Sequence, residues 1–487
     1  MEFKAFKKSS RTQSDQIPGG GPPALLINIS GDSQASSILF FPSSVVMSHA
    51  IAVILTLCDD NWSAAFSISS FVSSALGFWI IFSPAAAATW GGMGNVIGYA
   101  LGAAMPLVLF IFIGKYVRKV FPNSTGFHDC IENRFGKNLS HFVIIVSLVY
   151  MTVFLIAEIT AISKFFNFLN DTPYWISSMI IILIALSYVL IGGLSATIFT
   201  DLIQFIFIIG ICLFLVFKIP FQDFSNNSSF MIENAHLFDF NNQFLWITGL
   251  TFLIAVTFTN LFHHGNWQRI YAAKDNKTLS IGLVISALII FIIVYFIGYS
   301  GLVSISLYAM DDPDLTFVKL FGLLETSFIK YIFVILATSL VLSSIDTLIN
   351  AINSQIVSLS TSYSLKSSSN LYFIIVFLVA VFILSSQGYN VLYVFLIADL
   401  ICCCLVLPFL LGLFGFNITT KQIYIISFLS LLLGVLIFPD PSYSKNILSD
   451  FLNINFTFIN NYKLFSSFLV PILFSTILTL LMKKKGI

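Results

Sequence analysis

Charge is what this chain has least of. Only 9% of its 487 residues are Asp, Glu, Lys or Arg, against 57% hydrophobic, too little to solvate the surface of a soluble globule. What charge there is balances to +1, so no basic field exists to hold nucleic acid. Cysteine is scarce as well. The six, at 58, 130, 212 and 402–404, show neither disulfide nor metal-ligand spacing, and the run lies in an apolar stretch that suits small packing residues. No nucleophile–base set stands out, and His263-His264 are neighbours rather than the i,i+4 pair of a helical metal site. An enzyme is therefore not expected. The polar N-terminal tail carries Lys4, Lys7, Lys8 and Arg11 with no compact apolar core behind them, so it does not read as a signal peptide. No polar stretch is long enough for a soluble domain; the longest connectors are 218–245 and 306–330.

What abounds is apolar sequence in lengths of roughly 20 residues, the thickness of a bilayer. Spans are expected near 64–88, 94–114, 140–166, 174–191, 199–217, 246–264, 279–305, 331–361, 371–387, 390–415, 422–438 and 462–482. Residues 38–57 are apolar but carry Pro42 and His49, which leaves open whether they cross. The expectation is an all-α polytopic membrane protein with 12–13 transmembrane helices. Residues 1–60 form a tail and that first segment, 61–417 a ten-helix core, and 418–487 two further helices and a basic tail. With 115–139 placed in the cytoplasm, thirteen basic residues fall on the cytoplasmic side and six outside, the bias that sets orientation; the expected location is the plasma (inner) membrane.

One apolar helix contains what lipid does not tolerate. The run from Tyr331 passes into Ser343-Ser344-Ile345-Asp346-Thr347, then Asn350, Asn353 and Ser354, at helical spacing. The two serines lean back toward the carbonyl of Leu340, which gathers oxygens of the kind hard cations prefer. Two readings fit the serine pair: ion ligands, or hydroxyls bonding back to i−4 carbonyls. Asp346 on the same helix weighs toward the first.

Two spans look broken. The 64–88 segment is rich in Ser and Gly, including Ser73, Ser74 and Gly77, ends at Pro84 and runs into Gly91-Gly92. The 246–264 segment runs into Asn260-Leu-Phe-His263-His264-Gly265-Asn266-Trp267. Their starts lie five spans apart, the arrangement of a 5+5 inverted-repeat transporter whose site sits at the breaks. Ser/Gly richness also suits close helix packing.

These residues carry a family resemblance. Ile191-Gly192-Gly193-Leu194-Ser195-Ala196-Thr197-Ile198-Phe199-Thr200-Asp201-Leu202-Ile203-Gln204 resembles the Gly-Gly…Ala…Thr-Asp…Gln signature of the sodium/solute symporter family. Gln268-Arg269-x-x-Ala272-Ala273-Lys274 resembles its Gln-Arg-x-x-Ala-Ala-Lys segment, and Ser343-Ser344 its hydroxyl pair. Order and spacing agree over residues 64–415. The resemblance implies a leucine-transporter-type core, alternating access, and uptake coupled to sodium ion. Its main sodium site would take the carbonyls of Val72, Ala75 and Leu340 with the hydroxyls of Ser343 and Ser344. Asp201 and Thr347 occupy positions that form a second ion site in some members, and Asp201 equally suits an N-cap of 199–217. The chain departs from the family before residue 60, where its usual first helix is unrecognisable. It also has Ser74 where proline-type members have Asp, and sugar-type signatures are absent.

The expected solute site is Ser73, Ser74, Phe78, Trp79, Asn260, His263 and Asn266, with His264 and Trp267 beside them and Arg269 away at the cytoplasmic end. Such a lining suits a small polar solute, urea-like or amino-acid-like. Interfacial anchoring is the other reading of the His pair. Glu158 and Asp399 lie inside spans, where carboxylates couple protons, contact solute or anchor Ser and Asn. Besides solute and membrane lipid, no obligate protein partner is expected. Proton-coupled symport and a channel or sensor on the same fold are the alternatives.

Overall fold

The computed structural model describes residues 60–220, 223–224, 227–308, 312–320, 327–363, 367–450 and 457–482. The tail, the 38–57 segment, Asp311, Lys366 and Lys483–Lys485 lie outside them. A chain this apolar must satisfy its backbone polar groups internally, and helices do so within each segment. The principal helices are α1 Asp60–Ala75, α2 Trp79–Val120, α3 Phe127–Phe135, α4 Lys137–Asn170 and α5 Tyr174–Lys218, then α6 Gln243–Thr259, α7 His264–Ala272 and α8 Asn276–Leu307. They continue as α9 Ser327–Ser362, α10 Ser367–Ser385, α11 Val391–Leu413, α12 Thr420–Ile437 and α13 Lys463–Leu481.

Two of these runs hold more than one crossing. α2 is kinked at Gly92 (φ 59°), so its first part completes the crossing begun by α1 and its second part makes the next. The 45 residues of α5 would reach about 67 Å if straight, twice what a bilayer needs. Its two ends lie at the same end of the bundle. Tyr174 packs on Gly388, two residues from Asn390, which bonds Asp314; Ile219, just past Lys218, lies by Phe317 in the same connector as Asp314. The segment therefore crosses and returns, as the expected spans 174–191 and 199–217 require. Eight helices are long and apolar enough to span, and four shorter apolar helices complete them. The described residues thus make twelve crossings, the lower expected number. The protein is an integral multi-pass membrane protein.

The first break falls earlier than the sequence suggested. Pro84 lies inside α2, and the helix is interrupted at Leu76–Phe78 instead. A membrane helix tolerates a proline whose freed carbonyl meets packed neighbours; what opens this one is a side chain bonding its backbone, described below.

The two ends differ in charge. At one, Asp314 accepts from Lys164 Nζ (2.6 Å), the amide of Val391 (3.1 Å) and Asn390 (3.3 Å), tying α4 to the start of α11. Burial holds the Asp314 carboxyl above its ordinary range, against the pull of Lys164. At the other end Arg118 donates to the Ala273 carbonyl (2.9 Å) and Arg134 to the Gly412 carbonyl (3.2 Å), satisfying carbonyls that helix ends leave free. Asp275 caps α8 through the amides of Thr278 and Lys277 (2.8 Å each), the former chief among the contacts that hold its carboxyl below the usual range.

α2 and α6 touch backbone to backbone. A Cβ on Gly94, Gly98 or Gly102 would meet the carbonyl of Leu245, Gly249 or Phe252. Only glycine permits this approach.

Candidate functional site

The break between α1 and α2 frees two amides, and a carboxylate takes them. Glu158, fully buried on α4, accepts from Phe78 N at 2.8 Å (Oε2) and Trp79 N at 3.4 Å (Oε1). The same Oε2 accepts from the Ser344 hydroxyl at 2.9 Å. Ser344 lies 3.1 Å from the Leu340 carbonyl on its own helix, so back-bonding and reaching across are both seen. Of the expected sodium ligands, Leu340 and Ser344 therefore stand together, joined to the break through Glu158. The Val72 carbonyl accepts from Leu76 N (2.9 Å) and that of Ala75 from the Trp79 indole (3.3 Å), both at the broken end of α1. Ser343 turns instead to Asp201 Oδ1 (3.1 Å). Hydroxyls and end-of-helix carbonyls suit a hard monovalent cation, and Glu158 adds a charge that the sequence did not place there.

Gly77 leaves the room that this arrangement needs. A Cβ there would run into the Glu158 carboxylate. Gly77→Ala is expected to lower stability by about 1–3 kcal/mol, as overpacking does, read as the thermal unfolding of purified protein. Unfolding at the wild-type temperature would show that Glu158 is not seated in the break.

The second cluster centres on Asp201. Its Oδ2 accepts from Ser70 (2.8 Å) and from Arg269 Nη2 (2.9 Å). Arg269 also donates to Ser70 (2.8 Å), Thr347 (2.9 Å) and the Gly265 carbonyl (3.3 Å). The expectation that Arg269 lies at the cytoplasmic end is corrected: it is 4% exposed. The cause is local. After the extended residue His263 (φ −77°, ψ 98°), α7 starts within the bundle, so its early turns remain inside. The guanidinium stands between Asp201 and Thr347, the two residues expected to form a second ion site. Nor does Asp201 cap a helix; it lies within α5.

A cavity opens beside the two breaks, and four of the expected solute residues line it: Ser74, Trp79, Asn260 and His263. The other three stand elsewhere. Ser73 donates to the Asp201 carbonyl (2.9 Å), because adjacent helical residues point about 100° apart and only one of a serine pair can face the cavity. Phe78 packs on Phe82 and Phe165, and Asn266 donates to the Asn260 side chain (3.0 Å), orienting it. His264 sits by His128, and Trp267 is fully buried with its indole on the Leu261 carbonyl (2.7 Å). Sequence reasoning missed Tyr99, Tyr150, Phe154 and Phe395, which line the same cavity with Asp399 and Thr259. Among 53 phenylalanines and 17 tyrosines nothing local distinguishes them. Among the described residues no three His, Cys, Asp or Glu side chains gather as metal ligands.

Two five-helix blocks, each opened by a broken helix with a cavity between the breaks, define a secondary-transporter architecture of the leucine-transporter type. The sodium:solute symporter family model matches residues 61–422, and the chain belongs to that family. It is 24% identical over 356 residues to a spermidine transporter of Candida albicans, covering 71% of this chain and 66% of that one. It is 25% identical over 248 residues to a sodium/glucose cotransporter of Vibrio parahaemolyticus, covering 46% and 45%. The chain thus spans less than two thirds of the length of these relatives. Among solved structures it shares its fold with a Na+-coupled sialic acid symporter in a substrate-bound, outward-open state (TM-score 0.63, 16% identity, covering 92% of this chain and 98% of that one).

Proposed function

We propose that the protein is a sodium-coupled symporter of the plasma membrane that imports a small polar organic solute by alternating access. One observation carries this: Glu158 is bonded at once to the break in α1–α2 and to Ser344, the hydroxyl expected to hold sodium. An ion at Ser344, Leu340 and the carbonyls of Val72 and Ala75 acts on the segment that carries Ser74 and Trp79 into the cavity. Ion and solute sites are thereby joined by a few bonds, and their coupling is reciprocal: each tightens the other by the same factor. Arg269 fills the place of a second ion, which supports one sodium per cycle. The proton-coupled alternative has its own specific support, a fully buried carboxylate at the junction, Glu158.

The test is uptake into proteoliposomes of urea, neutral amino acids, amines, a sugar and a short carboxylate, under a sodium gradient, a proton gradient or neither. Accumulation driven by sodium is expected, with one sodium entering per solute. Accumulation driven by protons alone, or equilibration that ignores both gradients, would overturn sodium symport.

A further inference from the structure

Within the cavity one group has no counterpart. Asp399 is 7% exposed, inside α11, and faces the cavity, which Thr259 also lines. Among the described residues the buried cations find other carboxylates: Arg269 pairs with Asp201 and Lys164 with Asp314. None pairs with Asp399. A carboxylate left without a cation inside a membrane protein is costly, and such residues mark the path of an ion or substrate.

What surrounds it narrows the ligand. Trp79 stacks on Tyr99 (5.7 Å between centroids) and meets Phe395 edge-on (6.1 Å); Phe395 meets Phe154 (4.9 Å), which meets Tyr150 (6.0 Å). Five rings from three helices form a continuous arc along the cavity that Asp399 faces. Ring faces are electron-rich and attract cations, and a carboxylate set among them is the usual means of holding an organic ammonium. A carboxylate-bearing solute is disfavoured by a separate feature. The amides at the start of a half-helix are where such transporters hold an anionic group, and here Glu158 already occupies those of Phe78 and Trp79.

We infer that the transported solute is an organic amine cation without a carboxylate, its ammonium seated against Asp399 within the ring arc of Trp79, Tyr99, Tyr150, Phe154 and Phe395. This rests on the symporter reading and chooses within it, against both urea and zwitterionic amino acids. The carbonyl and hydroxyl oxygens at hand, Thr259 and Asn260, accept from N–H groups, so the amine carries protons rather than four alkyl groups.

The experiment is equilibrium binding by calorimetry to the full-length chain in detergent at saturating sodium, with butylamine and 1,4-diaminobutane as probes and urea, alanine and tetramethylammonium as comparisons. The two amines are expected to bind more tightly than the other three. Asp399→Asn should weaken amine binding about 100-fold, the loss expected when one partner of a buried charge pair is neutralised. Sodium binding by the same variant should remain, which shows that it is folded. Should Asp399→Asn not fold, Phe395→Leu serves, with a loss of about 5-fold for the amines and none for alanine. The inference is overturned if the wild type binds no amine, if urea, alanine or tetramethylammonium binds as tightly, or if the readable variant leaves amine affinity unchanged. Amine binding without sodium-driven uptake would overturn symport and leave the amine site standing.

Discussion

Replacing Ser344 by alanine is expected to raise the sodium concentration for half-maximal uptake at least tenfold while leaving the fold intact. The hydroxyl has two roles that separate cleanly. As a donor to Glu158 it contributes one hydrogen bond to a carboxylate that keeps the amides of Phe78 and Trp79, so its loss costs unfolding no more than about 1–2 kcal/mol. In the proposed sodium site it would supply one of about five oxygens, next to the Leu340 carbonyl, while its neighbour Ser343 is turned to Asp201. A large change in sodium activation with a small change in thermal unfolding is the signature. Sodium dependence equal to wild type would remove Ser344 from the ion site, and with it the link from that site to the break.

The largest loss of stability should follow from Arg269→Leu. Asp201 would then be a fully buried carboxylate left with the hydroxyls of Ser70 and Ser343, and stranding one half of a buried ion pair costs about 3–5 kcal/mol. Adding Asp201→Asn to that background removes the stranded charge, so the double variant should recover most of the loss in a thermal-unfolding cycle. This non-additivity is what distinguishes an ion pair from two independent packing contacts. A single Arg269→Leu variant within about 1 kcal/mol of wild type would show that the guanidinium does not hold Asp201.

The sequence disclosed one kind of feature well. Hydroxyls within an apolar helix are conspicuous, and Ser344 and Leu340 share one helix, so helical geometry alone brings them together, whereas Ser343 turns to Asp201. The break after Ala75 was legible as Ser/Gly richness, although Pro84 misled as to where it falls. A proline removes one hydrogen bond, whereas the break itself is held by Glu158, 80 residues farther along the chain. Arg269 was misplaced for a related reason. A lone cation a few residues past an apolar run resembles a loop residue at the membrane edge, and only the tertiary partners Asp201 and Thr347 draw it inside. Of the ring arc about Asp399, only Trp79 was read from the sequence. The arc's members come from α2, α4 and α11, with many unrelated aromatic positions to choose among, and only packing selects them. Ser73 and Phe78 lie off the cavity wall because residues next to a break are neighbours in sequence and yet face different neighbours.

The glycine contacts between α2 and α6 bear on what moves. Where two backbones touch without intervening side chains, there is no layer of rotamers to take up a sliding displacement, and a shift of even one residue would drive Cβ atoms of the flanking residues into carbonyls. In a cycle of alternating access the pair would therefore travel as one stiff lever. Motion that opens the cavity to one side and then the other would fall to the non-helical stretch Leu76–Phe78 and to the tight 3-10 turn Asn260–Phe262 with the extended His263, and the throw of the lever would be set by how far those few residues can turn.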